Sequence, residues 1–148
     1  MNQDIIRELS GSTLAYLGDA VLEVLVRRTL LTLGTGDGGA LSRLALRFVK
    51  ASAQSAGIEK ILPILTEDEL YIFKRGRNAH GISIPKSATA QEYRRATGME
   101  ALFGYLDLTG QPERADELFR LAYADVLEQL SANPLEAVRN DSAPQSGT

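Results

Sequence analysis

Residues 14 to 26 read LAYLGDAVLEVLV, and this run constrains the fold more than any other. At about 100° per residue, Leu14, Leu17, Val21, Leu22, Val24, Leu25 and Val26 cover most of a helix circumference. Only a narrow stripe of Tyr16, Asp19, Glu23 and Arg27 is polar. A helix of this kind is expected to be buried almost all round, so the remaining elements must wrap it. Asp19 then needs a reason, because an ionised carboxylate among apolar groups is costly unless something pairs with it. One account is a solvated ladder of Asp19, Glu23 and Arg27 at four-residue spacing. The other is a functional carboxylate, with Gly18 beside it allowing a second backbone or a ligand to come close.

The elements available to wrap it also read as helices. Ser10 or Ser12 caps the first, which runs to about Leu33 and breaks at GTGDGG, residues 34 to 39. A second helix is expected from Ala40 to Ala56. Its apolar side is Leu41, Leu44, Ala45, Phe48 and Val49, and its polar side Arg43, Arg47, Lys50 and Gln54. Pro63 ends or kinks IEKILPIL, and Thr66 with Glu69 forms a capping box for a helix running toward Asn78. HGISIPKSA, residues 80 to 88, reads as a loop. Thr89 and Glu92 form a second capping box for a helix lasting to Leu108, where TGQP turns the chain. The last helix covers about Glu113 to Leu130. The polar stretch from Ser131 to Thr148 reads as a flexible tail following a single domain of residues 1–130. No segment alternates with period two, so the expected fold class is all-α, without internal repeats.

At 148 residues, with 44% hydrophobic and 24% charged residues, the chain has the composition of an ordinary globular protein. It contains no cysteine, which excludes disulfides and thiolate metal sites and fits a reducing, cytoplasmic setting. The start, MNQDIIRELS, has neither the basic flank nor the apolar run of a secretory signal, and no stretch is long enough to span a bilayer. The formal net charge of −3 does not by itself suggest a polyanionic partner. Its distribution does, because Tyr71 to Arg95 holds Lys74, Arg75, Arg77, Lys86, Arg94 and Arg95 against the single acid Glu92. An acidic body with one basic segment is suited to holding an anion in one place.

A second acid sits as Asp19 does. In RRATGMEALFGYLDL, residues 94 to 108, Met99, Leu102, Phe103 and Leu106 share one side, while Glu100 shares the other with Thr97 and Gly104. Two such helices facing each other bring Asp19 and Glu100 together in a cleft. Paired carboxylates completed by water are a donor set that suits Mg²⁺. Without a cation, the same pair raises a pKa instead.

These residues resemble a known family. LAYLGDAVLEVLV is similar to the first acidic helix of the ribonuclease III family, and GMEALFGYL to its second. LRFVKASAQ, residues 46 to 54, and the segment from FKRGRN to GMEALFGYL resemble specifically the short members, the mini-ribonucleases III. The resemblance spans roughly residues 8 to 120 in several ordered motifs. It implies an all-α endonuclease domain, working as a homodimer, whose valley receives double-stranded RNA, with one Mg²⁺-dependent site per subunit. It also implies that the chain ends where an ordinary member begins its double-stranded-RNA-binding domain. By the same resemblance Asp19 and Glu100 match the catalytic, metal-holding acids, and the substrate is a precursor of large-subunit ribosomal RNA, presented with a ribosomal protein. Ordinary members carry further acids where this chain has Ala15 and Thr97, so only two of four acidic positions are filled. Glu23 is outside the family's usual set.

For the RNA grip the candidates are Lys74, Arg75, Arg77, Asn78 and Lys86 around the Gly/Ser loop. A second rail is Arg43, Arg47 and Lys50, against the plain alternative of a solvated helix face. One of Arg94 and Arg95 is expected either to touch the scissile phosphate or to pair with an acid, and Arg94 is the RNA-contact candidate. His80 is not assigned to catalysis. Two rivals stand beside the nuclease: a non-catalytic RNA-binding or ribosome-associated protein that kept the fold, and an all-α nucleotide phosphohydrolase. The second usually needs a denser acidic motif or several histidines, and this chain has one histidine.

Overall fold

The computed structural model describes residues 1–34, 37–81, 83–86 and 88–132. Its helices, in chain order, are α1 Gln3–Arg7, α2 Gly11–Thr32, α3 Gly38–Val49, α4 Ala51–Ile61, α5 Glu67–Arg77, α6 Ala90–Leu108, α7 Pro112–Ala122 and α8 Ala124–Ala132. A 3-10 turn, Leu62–Ile64, joins α4 to α5, with Pro63 at its start. No strand occurs among the described residues, in agreement with the all-α expectation. The expected flexible tail falls mostly on residues 133–148, outside the described ones; Ser131 and Ala132 close α8.

The centre of the molecule is α6, against which α2, α4, α5 and α7 all pack. From Ala96 to Leu106 every residue of α6 is buried except Glu100, which is half-buried. Its sequence permits this because ATGMEALFGYL puts small or apolar residues on all sides. Gly98 lies under the Phe73 ring, where an added Cβ would stand 2.6 Å from the ring carbons.

All-round burial, expected of α2, therefore belongs to α6 instead. Only one side of α2, formed by Leu14, Ala15, Gly18, Leu22, Leu25, Val26 and Leu30, meets the core. The opposite side is open: Tyr16 is 86% and Val24 48% exposed, and Leu31 is exposed as well. Hydropathy alone does not say which apolar residues the chain's own elements will reach.

Two expected helices are each broken in two. The Ala40–Ala56 helix is interrupted at Lys50, whose backbone is extended at φ −62°, ψ 145°, so α3 and α4 meet at an angle. Gln54 consequently leaves the exposed stripe with Arg43 and Arg47 and turns inward. The Glu113–Leu130 helix breaks at Tyr123, whose hydroxyl donates to the Phe48 carbonyl at 2.7 Å while its ring packs on Phe48 and Phe119. The capping box of Thr66 and Glu69 is present in both directions. The box at Thr89 is half made: Thr89 accepts from the Glu92 N–H, but no return bond from the Thr89 N–H to the Glu92 carboxylate is present among the described residues.

Glu69 also anchors α7 to α5. Its carboxylate, on a residue only 3% exposed, receives Arg114 Nε at 2.9 Å and Nη2 at 2.9 Å, and Nη2 also reaches the Ile64 carbonyl. Burial pushes the Glu69 carboxyl up, but the bonds from Arg114 and Thr66 outweigh it and hold it below its ordinary value. Removing the guanidinium leaves that charge buried alone, so Arg114→Ala is expected to cost about 3–5 kcal/mol in urea unfolding. An unchanged midpoint would show that the strut contributes nothing.

Candidate active site

Helices α2 and α6 cross backbone to backbone. A Cβ on Gly18 would lie 1.5 Å from the Glu100 carbonyl oxygen, and one on Gly104 2.1 Å from the Leu14 carbonyl oxygen. Glycine at both positions is what lets the axes come this close. The approach fixes the next residue along: Asp19, beside Gly18, lies within hydrogen-bonding reach of the Glu100 side chain. Burial first, then the Asp19 hydrogen bond and then its charge push the Glu100 carboxyl up to about 8. Glu100 is therefore the member of the pair driven toward its protonated form. Asp19 itself is exposed at the cavity mouth.

The cavity they share is also lined by Val49, Lys50, Ser52 and Gln54 from the α3–α4 junction, by Pro85 and Ala88 from the loop, and by Glu92 and Tyr93 from the start of α6. Two further positions are filled by packing. Ala15 is buried, and Thr97 turns its hydroxyl to the Tyr93 carbonyl at 3.0 Å. No cluster of three or more metal-ligating side chains occurs among the described residues, so Asp19 and Glu100 are the carboxylate pair the site offers.

The remaining predicted residues are distributed as follows. Lys50, expected on an outer rail, lies in the carboxylate cavity, whereas Arg43 and Arg47 stay on α3, exposed and half-buried respectively. Lys74, Arg75, Asn78 and His80 line a separate polar recess with Ser10, Ser12 and Tyr71, so His80 does not face the carboxylates. Within that recess the Arg75 guanidinium is bound inside the fold: it donates to the carbonyls of Glu8 at 3.2 Å and Leu9 at 2.9 Å and lies over the Tyr71 ring. Arg77 stacks over Phe73 and donates to the Asn78 side chain. Lys86 and Arg94 are exposed, while Arg95 is ion-paired with Glu59. Glu23 pairs with Arg27 at 2.6 Å, outside the carboxylate cavity.

Ser52, Gln54, Glu92 and Tyr93 were not singled out from the sequence as site residues. In the sequence Glu92 reads as a cap residue, and a continuous helix through residue 50 points Gln54 at solvent.

Residues 12–111 match the Ribonuclease III domain family. The chain belongs to the ribonuclease III family. It is 50% identical over 117 residues to Mini-ribonuclease 3 of Symbiobacterium thermophilum, covering 79% of this chain and 89% of the relative. It is 44% identical over 114 residues to Mini-ribonuclease 3 of Enterococcus faecalis, covering 76% and 86%. An X-ray crystal structure of a protein from Fusobacterium nucleatum superposes with a TM-score of 0.75 at 33% identity, covering 84% of this chain and 95% of that one. The chain is thus an endoribonuclease of the mini-ribonuclease III branch, and its matched region contains both carboxylates, the α3–α4 junction and the basic loop.

Proposed function

We propose that this mini-ribonuclease III is a Mg²⁺-dependent, homodimeric endonuclease that hydrolyses phosphodiester bonds in both strands of double-stranded RNA, with Asp19 and Glu100 as its catalytic, metal-holding pair. The observation that carries this is the contact of two carboxyl groups from distant parts of the chain at one open cavity. Two carboxyl groups that meet in one cavity, one of them held back from ionising first by burial and then by its neighbour, form a receptor for a cation. Two hard oxygens fit Mg²⁺, which keeps several waters. Because Ala15 and Thr97 add no donor, water and the RNA phosphate would have to supply the remaining ligands. A divalent ion there supplies charge neutralisation at the phosphoryl oxygen and eases ionisation of the attacking water.

The chain's own residues do the rest. Asp19 and Glu100 would hold the ion, the α2–α6 crossing holds both carboxylates in place, and Lys50 offers a positive charge to the phosphate. Lys74, Arg77, Asn78, Lys86 and Arg94, with Arg43 and Arg47 on α3, form the surface along which the duplex backbone lies. The uncovered strip of α2, with Tyr16, Ala20 and Val24 beside the half-buried Leu17 and Val21, supports the homodimer reading, since a second copy would cover it. The resemblance of residues 46–54 and 73–106 to mini-ribonucleases III supports a large-subunit ribosomal RNA precursor as substrate, with a ribosomal protein as companion, in the cytoplasm.

The test is cleavage of a long RNA duplex. With Mg²⁺ the protein should yield 5′-phosphate ends. Chelator should stop the reaction, and single-stranded RNA and free nucleotides should remain intact. Duplex that is bound but uncut would favour the non-catalytic RNA-binding protein. For the grip, Lys74→Gln and Lys86→Gln should each weaken duplex binding and reduce the slope of log K against log salt by roughly one. Arg75→Gln should instead lower stability by about 1–3 kcal/mol, because its guanidinium serves the Glu8 and Leu9 carbonyls that follow α1. An unchanged salt slope in both lysine variants would remove the loop from the interface.

A further inference from the structure

The start of α4 lines the cavity together with the carboxylates, and it carries donors that no described residue uses. Lys50 is the N-cap residue of this 11-residue helix and makes no side-chain cap hydrogen bond, while the first helix-internal bond there runs from the Gln54 N–H to the Lys50 carbonyl. The N–H groups of Ala51, Ser52 and Ala53 are therefore without an acceptor within the helix. One residue further on, Gln54 is only 4% exposed and lines the cavity, yet its side-chain amide has no hydrogen-bond partner among the described residues. Among the described residues the side-chain atoms sealed from solvent without a partner are Arg7 Nε and Arg75 Nε, so the unbonded Gln54 amide opens onto the cavity, where a ligand can meet it. Ser52 and Lys50 open onto the same space.

The two walls are chemically complementary. Asp19 and Glu100 present acceptors, and the α4 wall presents donors and a positive charge. A phosphodiester needs both kinds of partner, because its two non-bridging oxygens share a negative charge that a cation on one side satisfies only in part. In the hydrolysis, water oxygen bonds to phosphorus and the P–O3′ bond breaks. One water proton goes to solvent and one to the departing 3′-oxygen. Negative charge grows on the non-bridging oxygens meanwhile, so fixed donors aimed there stabilise the transition state more than the ground state.

We propose that Gln54, together with Ser52 and the uncapped first turn of α4, receives a non-bridging oxygen of the scissile phosphodiester, opposite the Asp19–Glu100 pair. The proposal rests on the endonuclease reading of that pair. It makes Gln54 a catalytic residue that touches the reacting group, in a chain where Ala15 and Thr97 leave the acidic side short of donors.

The experiment uses full-length protein, Mg²⁺ and an RNA duplex carrying one phosphorothioate at the mapped cleavage linkage, as separated Rp and Sp diastereomers, beside the all-oxygen duplex. Gln54→Leu keeps the bulk and removes the donor. Its kcat should fall about 100-fold, with KM within threefold and no loss of Tm, since the amide bonds no described residue. One diastereomer should be cut more slowly than the other by wild type, and that difference should shrink at least fivefold in the variant, because the contact it reports is already gone. Gln54→Glu, isosteric but without the donor, should be as slow as Gln54→Leu and covers the case in which leucine prevents folding. A variant kcat within twofold of wild type overturns the proposal. So does a large loss of kcat with the diastereomer difference intact, which would mean a structural role. If wild type itself leaves every duplex whole, the endonuclease reading fails as well. Wild-type cleavage matched by the variants removes Gln54 alone.

Discussion

Glu100→Gln should abolish cleavage, by at least ~10³-fold in kcat, and at the same time make the metal-free protein more stable at pH 8. The two effects have one cause. The Glu100 carboxyl, pushed up to about 8 by burial and then by Asp19, binds a proton more tightly in the folded chain than in the unfolded one. Between its ordinary value near 4.5 and about 8 the folded state therefore holds more protons, and stability must fall as pH rises through that window. The loss is on the order of a few kcal/mol. Below the window the carboxyl is protonated in both states and the effect vanishes. Glutamine mimics the protonated form at every pH, so the variant's Tm should be nearly flat where wild type declines. On the proposed function a divalent ion would take the proton's place, so Mg²⁺ should raise the wild-type Tm more at pH 8 than at pH 5 and leave Glu100→Gln unmoved. Melting curves at pH 5 to 8.5, with chelator and with Mg²⁺, decide the matter. A wild-type Tm that does not change across the window, or a glutamine variant that melts earlier, would mean the two acids do not repel as described.

What the sequence made legible was decided locally. The capping box at Thr66 and Glu69, the stop at Gly34 and the turn at Gly110, both glycines with positive φ, depend on neighbours within a few residues. The meeting of α2 and α6 was legible for a related reason: glycine beside an acid in an apolar helix is a local pattern, even though the contact it implies spans eighty positions of chain.

What was not legible depends on partners elsewhere in the fold. KASAQ contains nothing that breaks a helix, yet the chain turns at Lys50. Tyr123 interrupts a helical pattern while its hydroxyl reaches Phe48, a residue 75 positions away. The inward turn of Gln54 follows from the first of these breaks, which is why a periodicity argument placed it with Arg43 and Arg47. The open side of α2 misleads for another reason: apolar residues destined for a core and for a surface that another molecule covers have the same hydropathy.

Gly18→Ala should be the most damaging single methyl in the molecule. Its Cβ would stand 1.5 Å from the Glu100 carbonyl oxygen and 2.9 Å from the Gly104 backbone nitrogen. Neither is the end of a flexible side chain, so the helices themselves must part. Parting them by an ångström or two loosens Leu14, Leu22, Leu102 and Leu106, all fully buried between α2 and its neighbours. Ordinary overpacking costs about 1–3 kcal/mol; a clash of backbone against Cβ at the central crossing should exceed ~4 kcal/mol, enough to unfold a typical domain of this size at 37 °C. Gly104→Ala, 2.1 Å from the Leu14 carbonyl oxygen, should behave alike. Gly38→Ala, with nothing within 4 Å at the start of α3, is the control and should be neutral or stabilising by up to about 1 kcal/mol. Circular dichroism and urea titration of the three variants separate the outcomes. Any Gly18→Ala protein that does fold should also lose cleavage, because the same displacement carries Asp19 away from Glu100. A folded Gly18→Ala variant of wild-type activity would mean that the helices do not meet at this crossing, and that Asp19 owes its place beside Glu100 to something else.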